Sequence, residues 1–174
     1  MYDADKVYFD TMMYLNKFKD RLKVKRETNF MFNKVRLGEF RLIVSQTTLV
    51  EIYHVLCLPI EKCDTHTASD TMKEIQETYD TIKQTMLSFP NTEFPDNEFD
   101  GIDPKTMINF VEKVPGSSLI DFAGKKLPGS MDFMHIMIAS NLQCDKFFTE
   151  DRGLLLINSY KQKKNLKIIR PYLP

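Results

Sequence analysis

The sequence of 174 residues lacks any long run of uncharged apolar residues, which excludes a transmembrane helix, since that needs about 18 or more of them. Its first segment, MYDADKVYFD, carries acids where a signal peptide needs basic residues followed by a long apolar stretch. The composition, 43% hydrophobic and 28% charged, is typical of a globular protein that can form one well-packed domain. We therefore predict a cytoplasmic protein with no membrane partner.

Cysteine and histidine are too few and too irregularly spaced to predict a disulfide framework or a zinc site. The cysteines Cys57, Cys63 and Cys144 form no CxxC pair, which predicts free thiols in a reducing compartment. None of the three histidines lies at a zinc-ligand spacing from them. Internal repeats and low-complexity tracts are also missing, so neither a repeat architecture nor a zinc-dependent function is expected.

The chain also lacks a net charge, so its overall balance does not indicate nucleic-acid binding. Basic residues are nevertheless clustered, because residues 17–41 hold nine of them against three acids, and the tail after residue 160 is basic again. Four aromatic residues are interleaved with the first cluster: Phe18, Phe30, Phe32 and Phe40. Two interpretations remain open, an ordinary solvated helix face or a surface that binds RNA phosphates and unstacked bases.

Short apolar segments alternate with amphipathic ones, and this order predicts an α/β domain with a mostly parallel sheet. Strands are predicted at 6–10, 40–45, 145–149 and 166–171, with one short strand within 89–103. Helices are predicted at 11–18, 46–58, 66–89, from 103 to about 114, 128–143 and 151–162. The domain is expected to span 1–174, with a helical insertion at roughly 60–125.

The long helix predicted at 66–89 carries an apolar stripe with a spacing of three or four residues. The stripe consists of Met72, Ile75, Tyr79, Ile82, Met86 and Phe89. Such a stripe is typical of packing against the core or another helix, and a docking face for a partner is the alternative.

Four acids that are far apart in the sequence are placed at one edge of the predicted sheet by this topology. Asp10 ends the first strand, and Glu51 lies near the start of the helix after the second. Asp132 opens the helix that leads into strand 145–149, and Asp151 follows that strand, with Glu150 beside it. Because the carboxyl ends of parallel strands share one edge, we expect these carboxylates to lie together. The alternative is a local role for each acid in a turn or at a helix terminus.

Clustered carboxylates repel one another, since two unit charges 4 Å apart interact by roughly 4 kcal/mol at an effective dielectric constant of about 20. Protonation, separation or a bound cation would relieve this repulsion. An all-oxygen ligand set suits Mg²⁺ or Mn²⁺ better than Zn²⁺. A metal held in this way can activate a water molecule and stabilise an attacked phosphate.

The ordered motifs around these acids resemble the PIN-domain family (PilT N-terminus), which includes the VapC toxins of VapBC toxin–antitoxin modules. The matching segments are VYFDT, LIVSQTTLVEIYHVL and GSMDFMHIMIASNLQCDKFFTEDRGLL, within about the first 60 and last 45 residues. The resemblance implies a three-layer α/β/α sandwich and a Mg²⁺- or Mn²⁺-dependent endoribonuclease. It implies that the metal-binding and catalytic acids are Asp10, Glu51, Asp132 and Asp151, and that Thr149 orients an acid or a water molecule.

The sequence departs from the family's pattern at two positions. Met12 stands where the family often has Asn, and Leu154 stands where it often has an acid. One auxiliary ligand is therefore missing, and Glu150 is a candidate substitute. His135, three residues after Asp132, is predicted to be packed or solvent-facing, with a role in catalysis or RNA contact as the alternative.

The resemblance also implies partners: single-stranded or structured RNA as substrate, an antitoxin peptide near 66–89, and a second copy of the chain at 72–89. Two rival functions remain open. A PIN-fold module that binds RNA or protein without nuclease activity would not need Mn²⁺. A receiver domain would need an acid pair at the first strand and a late lysine, but Asp3 and Asp5 precede the strand end.

Overall fold

A computed structural model of the chain describes residues 4–18, 26–58, 65–100, 102, 130–157 and 166–173. Within these ranges the strands are β1 (Asp5–Phe9), β2 (Phe40–Ile43), β3 (Thr92–Glu93), β4 (Lys146–Phe148) and β5 (Lys167–Ile169). The helices are α1 (Thr11–Phe18), α2 (Arg26–Arg36), α3 (Gln46–Cys57), α4 (Thr65–Leu87), α5 (Ser130–Asn141) and α6 (Arg152–Ile157). In this part of the chain, every helix is too short or too polar to cross a membrane.

The five strands form one sheet in the order β3-β2-β1-β4-β5, and every neighbouring pair is parallel. β1 is central, and its Tyr8 is level with Ile43 of β2 on one side and Phe147 of β4 on the other. The prediction of an α/β fold with a mostly parallel sheet is confirmed. Because the chain leaves β1 first towards β2 and later returns to β4, a ligand site is expected at the carboxyl ends of these strands.

Helices cover both faces of the sheet, which gives the three layers implied by the family resemblance. Val7 and Phe9 of β1 pack on one face with apolar residues of α1 to α4. Tyr8 points to the other face, where it packs with apolar residues of α5 and α6. This alternation follows from the two-residue period of a strand, and a buried parallel sheet makes both sets apolar.

Helix α2 was not predicted from the sequence, although it lies inside the basic segment 17–41. Its buried residues include Phe32, and the following strand β2 begins with buried Phe40. Both rings belong to the core, so the expectation that they stack on RNA bases is wrong. Residues 19–25, which carry four of the predicted basic contacts, lie outside the described residues.

The predicted helical insertion at 60–125 is described only in part, by α4 and β3, and the helix predicted from residue 103 lies outside the described ranges. The apolar stripe of α4 packs within the chain. Ile75, Ile82 and Met86 are buried in the core, and the ring of Tyr79 meets that of Tyr53 edge-on. Most of the stripe is therefore unavailable to a docking partner.

Candidate active site

Asp10 lies at the carboxyl end of the central strand, and 95% of its surface is buried. Its backbone amide donates to the carbonyl oxygen of Phe148, 2.9 Å away, and its Oδ2 accepts a hydrogen bond from Thr149 Oγ1 at 2.7 Å. Burial raises the pKa of Asp10 to about 6, and the charges of Asp132 and Glu51 act in the same direction. The hydrogen bond from Thr149 opposes this rise. The electrostatic effect of His135 also lowers the pKa of Asp10, so burial is the main cause of the rise.

Glu51 is positioned by helix α3, whose first turn is capped by Ser45. The Ser45 hydroxyl accepts a hydrogen bond from the Thr48 amide, the usual arrangement at a helix N-terminus. One oxygen of Glu51, Oε2, accepts hydrogen bonds from Thr11 Oγ1 and from His135 Nε2, the latter at 2.6 Å. Burial alone would raise the pKa of Glu51, but the hydrogen bonds from His135 and Thr11 outweigh it and lower that pKa. Glu51 is therefore held as a carboxylate.

His135 is fully buried between Glu51 and Tyr8, so of the predicted positions, packed or solvent-facing, the structure shows the packed one. The Tyr8 hydroxyl lies 2.7 Å from His135 Nδ1, 2.6 Å from Ser45 Oγ and 2.9 Å from Thr48 Oγ1. Burial raises the pKa of Tyr8 well above its ordinary value, so its hydroxyl stays protonated. Sequence reasoning missed this network, and the only local signals were a tyrosine inside a strand and a histidine one helical turn after Asp132.

Asp132 and Asp151 lie at the same edge, each at a helix start. Asp132 falls in the first turn of α5, and its charge raises the pKa of Asp10. The amide of Asp151 donates to Thr149 Oγ1 at 3.0 Å, so Thr149 links Asp151 to Asp10. Oδ1 of Asp151 accepts hydrogen bonds from the amides of Gly153, at 2.6 Å, and Leu154, at 3.1 Å, and so caps α6.

These acids match Mg²⁺ or Mn²⁺ in donor chemistry, because the set is made of hard oxygen ligands and its charges repel one another. In the ranges that the structure describes, however, no three His, Cys, Asp or Glu side chains stand at metal-ligand spacing. Glu51 and Asp151 each accept hydrogen bonds from other groups of the protein on one carboxylate oxygen. The four acids thus have the ligand type and the charge that a divalent cation requires, but their described side chains are not grouped around one cation position.

The two departures from the family's pattern have distinct structural outcomes. Met12 is exposed, and the neighbouring Thr11 makes the contact with Glu51. Leu154 is fully buried in the core, so no acid stands at that position. Glu150 accepts a hydrogen bond from Thr28 of α2 at 3.3 Å, which places it beside that helix.

Part of the basic segment lies away from the acids. Lys34 pairs with Glu39 and lies over the Phe40 ring, and Arg41 pairs with Glu93. The backbone of Arg41 is level with that of Lys6 in the sheet, four residues before Asp10, or about 13 Å along the strand. By contrast, exposed Arg170 directly follows Ile169, whose carbonyl accepts a hydrogen bond from the Thr149 amide at 3.1 Å.

Comparison with known proteins shows a shared fold. Neither a protein-family model nor a curated protein sequence matches the chain. A structure of FitAB bound to an IR36 DNA fragment matches with 13% identity over 97% of each chain and a TM-score of 0.56. VapBC2 from Rickettsia felis, bound to a DNA fragment from its promoter, matches with 13% identity over 95% of this chain and 98% of its own, with a TM-score of 0.51.

A further structure, FitAcB from Neisseria gonorrhoeae, matches with 12% identity over 95% of this chain and 97% of its own. Its TM-score is 0.52. At such low identity the likeness establishes a shared fold and nothing further. The chemistry of the site has to be argued from its own residues.

Proposed function

We propose that the protein is a Mg²⁺- or Mn²⁺-dependent endoribonuclease of the PIN type, acting as the toxin of a VapBC-like module. The observation that carries this proposal is the buried carboxylate of Asp10, whose pKa is raised to about 6 at the carboxyl edge of a parallel sheet. Perturbed acids in such a position are typical of catalytic sites. The motif resemblance and the fold shared with FitAB and VapBC2 support the same interpretation.

In this proposal Asp10, Glu51, Asp132 and Asp151 hold the cation. A divalent ion bound by these acids would supply an activated water molecule and would neutralise charge on the attacked phosphate. Thr149 fixes the rotation of the Asp10 carboxylate by donating to Oδ2, and its link to the Asp151 amide keeps both acids at one edge. The Ser45 cap fixes where α3 begins, and this fixes the position of Glu51 at the same edge of the sheet.

RNA is the proposed substrate, held through its phosphates by basic residues at the acid edge. Arg170 is exposed directly after β5, and Arg26 is exposed at the start of α2, two residues before Thr28. Contacts of this kind bind a nucleic-acid backbone without reading its sequence. The basic residues in 19–25 and 161–164 remain predicted contacts outside the described residues.

A cleavage assay with matched variants tests the function. Wild type, Asp10→Asn, Asp132→Asn and the control Asp96→Asn, an exposed acid in the loop after β3, are given a labelled mixed RNA pool with Mn²⁺, with Mg²⁺ and with EDTA. We expect metal-dependent cleavage by wild type and the control, and none by the two site variants. Cleavage at the wild-type rate by both site variants would show that the assigned site is wrong.

A second function, a PIN-fold module that binds RNA or protein without cleaving, is favoured by one observation. Glu51 already has two internal hydrogen-bond donors, and the described acids are not closed around a cation. Mn²⁺ binding discriminates the two functions. A scaffold has no need to bind Mn²⁺ at millimolar concentrations or below, whereas the nuclease requires it.

An antitoxin and a second copy of the chain are the proposed protein partners, by analogy with the FitAB and VapBC2 complexes. Because the α4 stripe packs in the core, neither partner is proposed to bind through it. Co-purification with the product of the neighbouring gene tests the antitoxin, and light scattering tests the dimer. A protein that remains monomeric at high concentration and retains no neighbouring product would contradict both.

A further inference from the structure

One of the two side chains that bond Glu51 is a histidine, which belongs to neither the acid set nor a basic surface. His135 is fully buried, and its Nε2 lies 2.6 Å from Glu51 Oε2. Since a carboxylate can only accept, Nε2 must carry the hydrogen. On the opposite side of the ring, Nδ1 lies 2.7 Å from the Tyr8 hydroxyl. Both ring nitrogens thus have a partner, and the ring cannot turn without breaking two hydrogen bonds.

Tyr8 is itself fixed by two hydroxyl groups of the α3 N-terminus. Its oxygen lies 2.6 Å from Ser45 Oγ and 2.9 Å from Thr48 Oγ1, and all of these groups are buried. The chain of contacts therefore runs from the cap of α3, through β1 and α5, and back to Glu51 on α3. A buried network with satisfied donors and acceptors holds its members in one arrangement.

Thr11 and His135 both donate to the same oxygen of Glu51, Oε2. Two donors on one oxygen fix the rotation of a carboxylate, and neither contact uses Oε1. We propose that His135, held by Tyr8, is a positioning residue that fixes Glu51 with Oε1 presented to a divalent cation. This inference rests on the proposed function for the cation, whereas the hydrogen bond to Glu51 stands without it. Outer-shell groups of this kind typically change metal affinity by about 10–100-fold when removed.

Mn²⁺ titration of the metal-free protein tests the proposal. His135→Leu removes the donor at similar volume, and His135→Gln keeps an amide donor that can reach Glu51. Thr11→Val, which removes the second donor while keeping its shape, serves as a further variant should His135→Leu not fold. Gln84→Leu, an exposed residue of α4, is the control. Urea unfolding of each variant shows whether it is folded.

We expect His135→Leu to weaken Mn²⁺ binding by about 10–100-fold, His135→Gln to restore most of it, and the control to match wild type. Thr11→Val should weaken binding in the same direction. Equal or tighter Mn²⁺ binding by folded His135→Leu would overturn the proposal. A purely structural role of His135 predicts that His135→Leu is less stable but binds Mn²⁺ with unchanged affinity, and this result would also overturn the proposal.

An imidazole ¹⁵N–¹H spectrum without metal keeps the two proposals distinguishable. We expect a hydrogen on Nε2 of His135 that exchanges slowly with water in wild type and loses this protection in Glu51→Ala. A bare Nε2, or a signal unaffected by Glu51→Ala, would overturn the positioning of Glu51 by His135. Absence of Mn²⁺ binding by wild type would instead overturn the metal-dependent function and the cation part of this inference.

Discussion

The hydroxyl group of Thr149 lies 2.7 Å from Oδ2 of Asp10 and donates a hydrogen bond to it across the β1–β4 edge. This bond favours the charged form of Asp10, but burial outweighs it and raises the pKa to about 6. A hydrogen-bonded acid that still carries a raised pKa is costly to keep ionised. The cost falls on the folded, metal-free protein, and the proposed cation would relieve it.

Asp10→Asn is therefore expected to stabilise the metal-free protein near pH 8 by about 1–3 kcal/mol, because asparagine has no charge to bury. The folded pKa of about 6 exceeds the ordinary value of 3.8, so the wild-type protein loses stability as the pH rises through this interval. Below about pH 4 both proteins carry a neutral side chain, and the difference should vanish. Urea unfolding in the presence of EDTA, from about pH 4 to about pH 8, measures the difference in unfolding free energy between the two proteins. A variant less stable than wild type near pH 8 would contradict the argument.

Asp151 combines a structural role with a proposed ligand role, and two substitutions separate them. Asp151→Ala removes the cap of α6 and should cost about 1 kcal/mol of unfolding free energy. Asp151→Asn keeps an acceptor for the same amides and should cost little. If Asp151 is a ligand, both variants lose cleavage and bind Mn²⁺ more weakly. Full cleavage by Asp151→Asn would show that Asp151 caps α6 and is not a metal ligand.

The arrangement of the acids at one edge followed from topology, because strand ends and helix starts fix where Asp10, Glu51 and Asp132 lie along the sheet. Helix α2 was detectable as well. Its buried positions Thr28, Met31, Phe32 and Val35 have the spacing of one helix face. The clustering of basic residues drew the interpretation towards a surface, although the same segment buries apolar side chains.

Contacts between distant segments could not be predicted, since no periodicity encodes them. His135 meets Tyr8 across 127 positions and Glu51 across 84. A histidine on an otherwise apolar helix face shows only that some buried partner is required. Glu98 is a similar case, because it lies in a polar loop and is nevertheless almost fully buried.

Glu98 caps α3 from 52 positions away, and its loss is expected to destabilise the fold. Its carboxylate accepts from the amide of Gln46 at 2.5 Å, and from the amide and hydroxyl of Thr47 at 3.0 and 2.8 Å. Glu98→Ala should lower the unfolding free energy by about 1–3 kcal/mol, because these donors lose a buried partner. Asp96→Ala, in the same loop but exposed, should change it little. Equal urea midpoints for the two variants would refute the cap.

Two arginines differ in their distance from the acids and in their partners. Arg170 is exposed beside Thr149, whereas Arg41 is the second residue of β2 and pairs with Glu93 of β3. In an Asp132→Asn background that cannot cleave, Arg170→Gln should weaken binding to labelled RNA and reduce the salt dependence by about one released counterion. Arg41→Gln should bind like the background protein.

RNA affinity measured over a range of salt concentrations gives both quantities, the dissociation constant and its salt slope. A larger loss for Arg41→Gln than for Arg170→Gln would place the RNA path beside β2 and β3 and away from Arg170. In that case the RNA contact proposed for Arg170 at the acid edge would be wrong. Equal losses would indicate a nonspecific charge effect without a defined path.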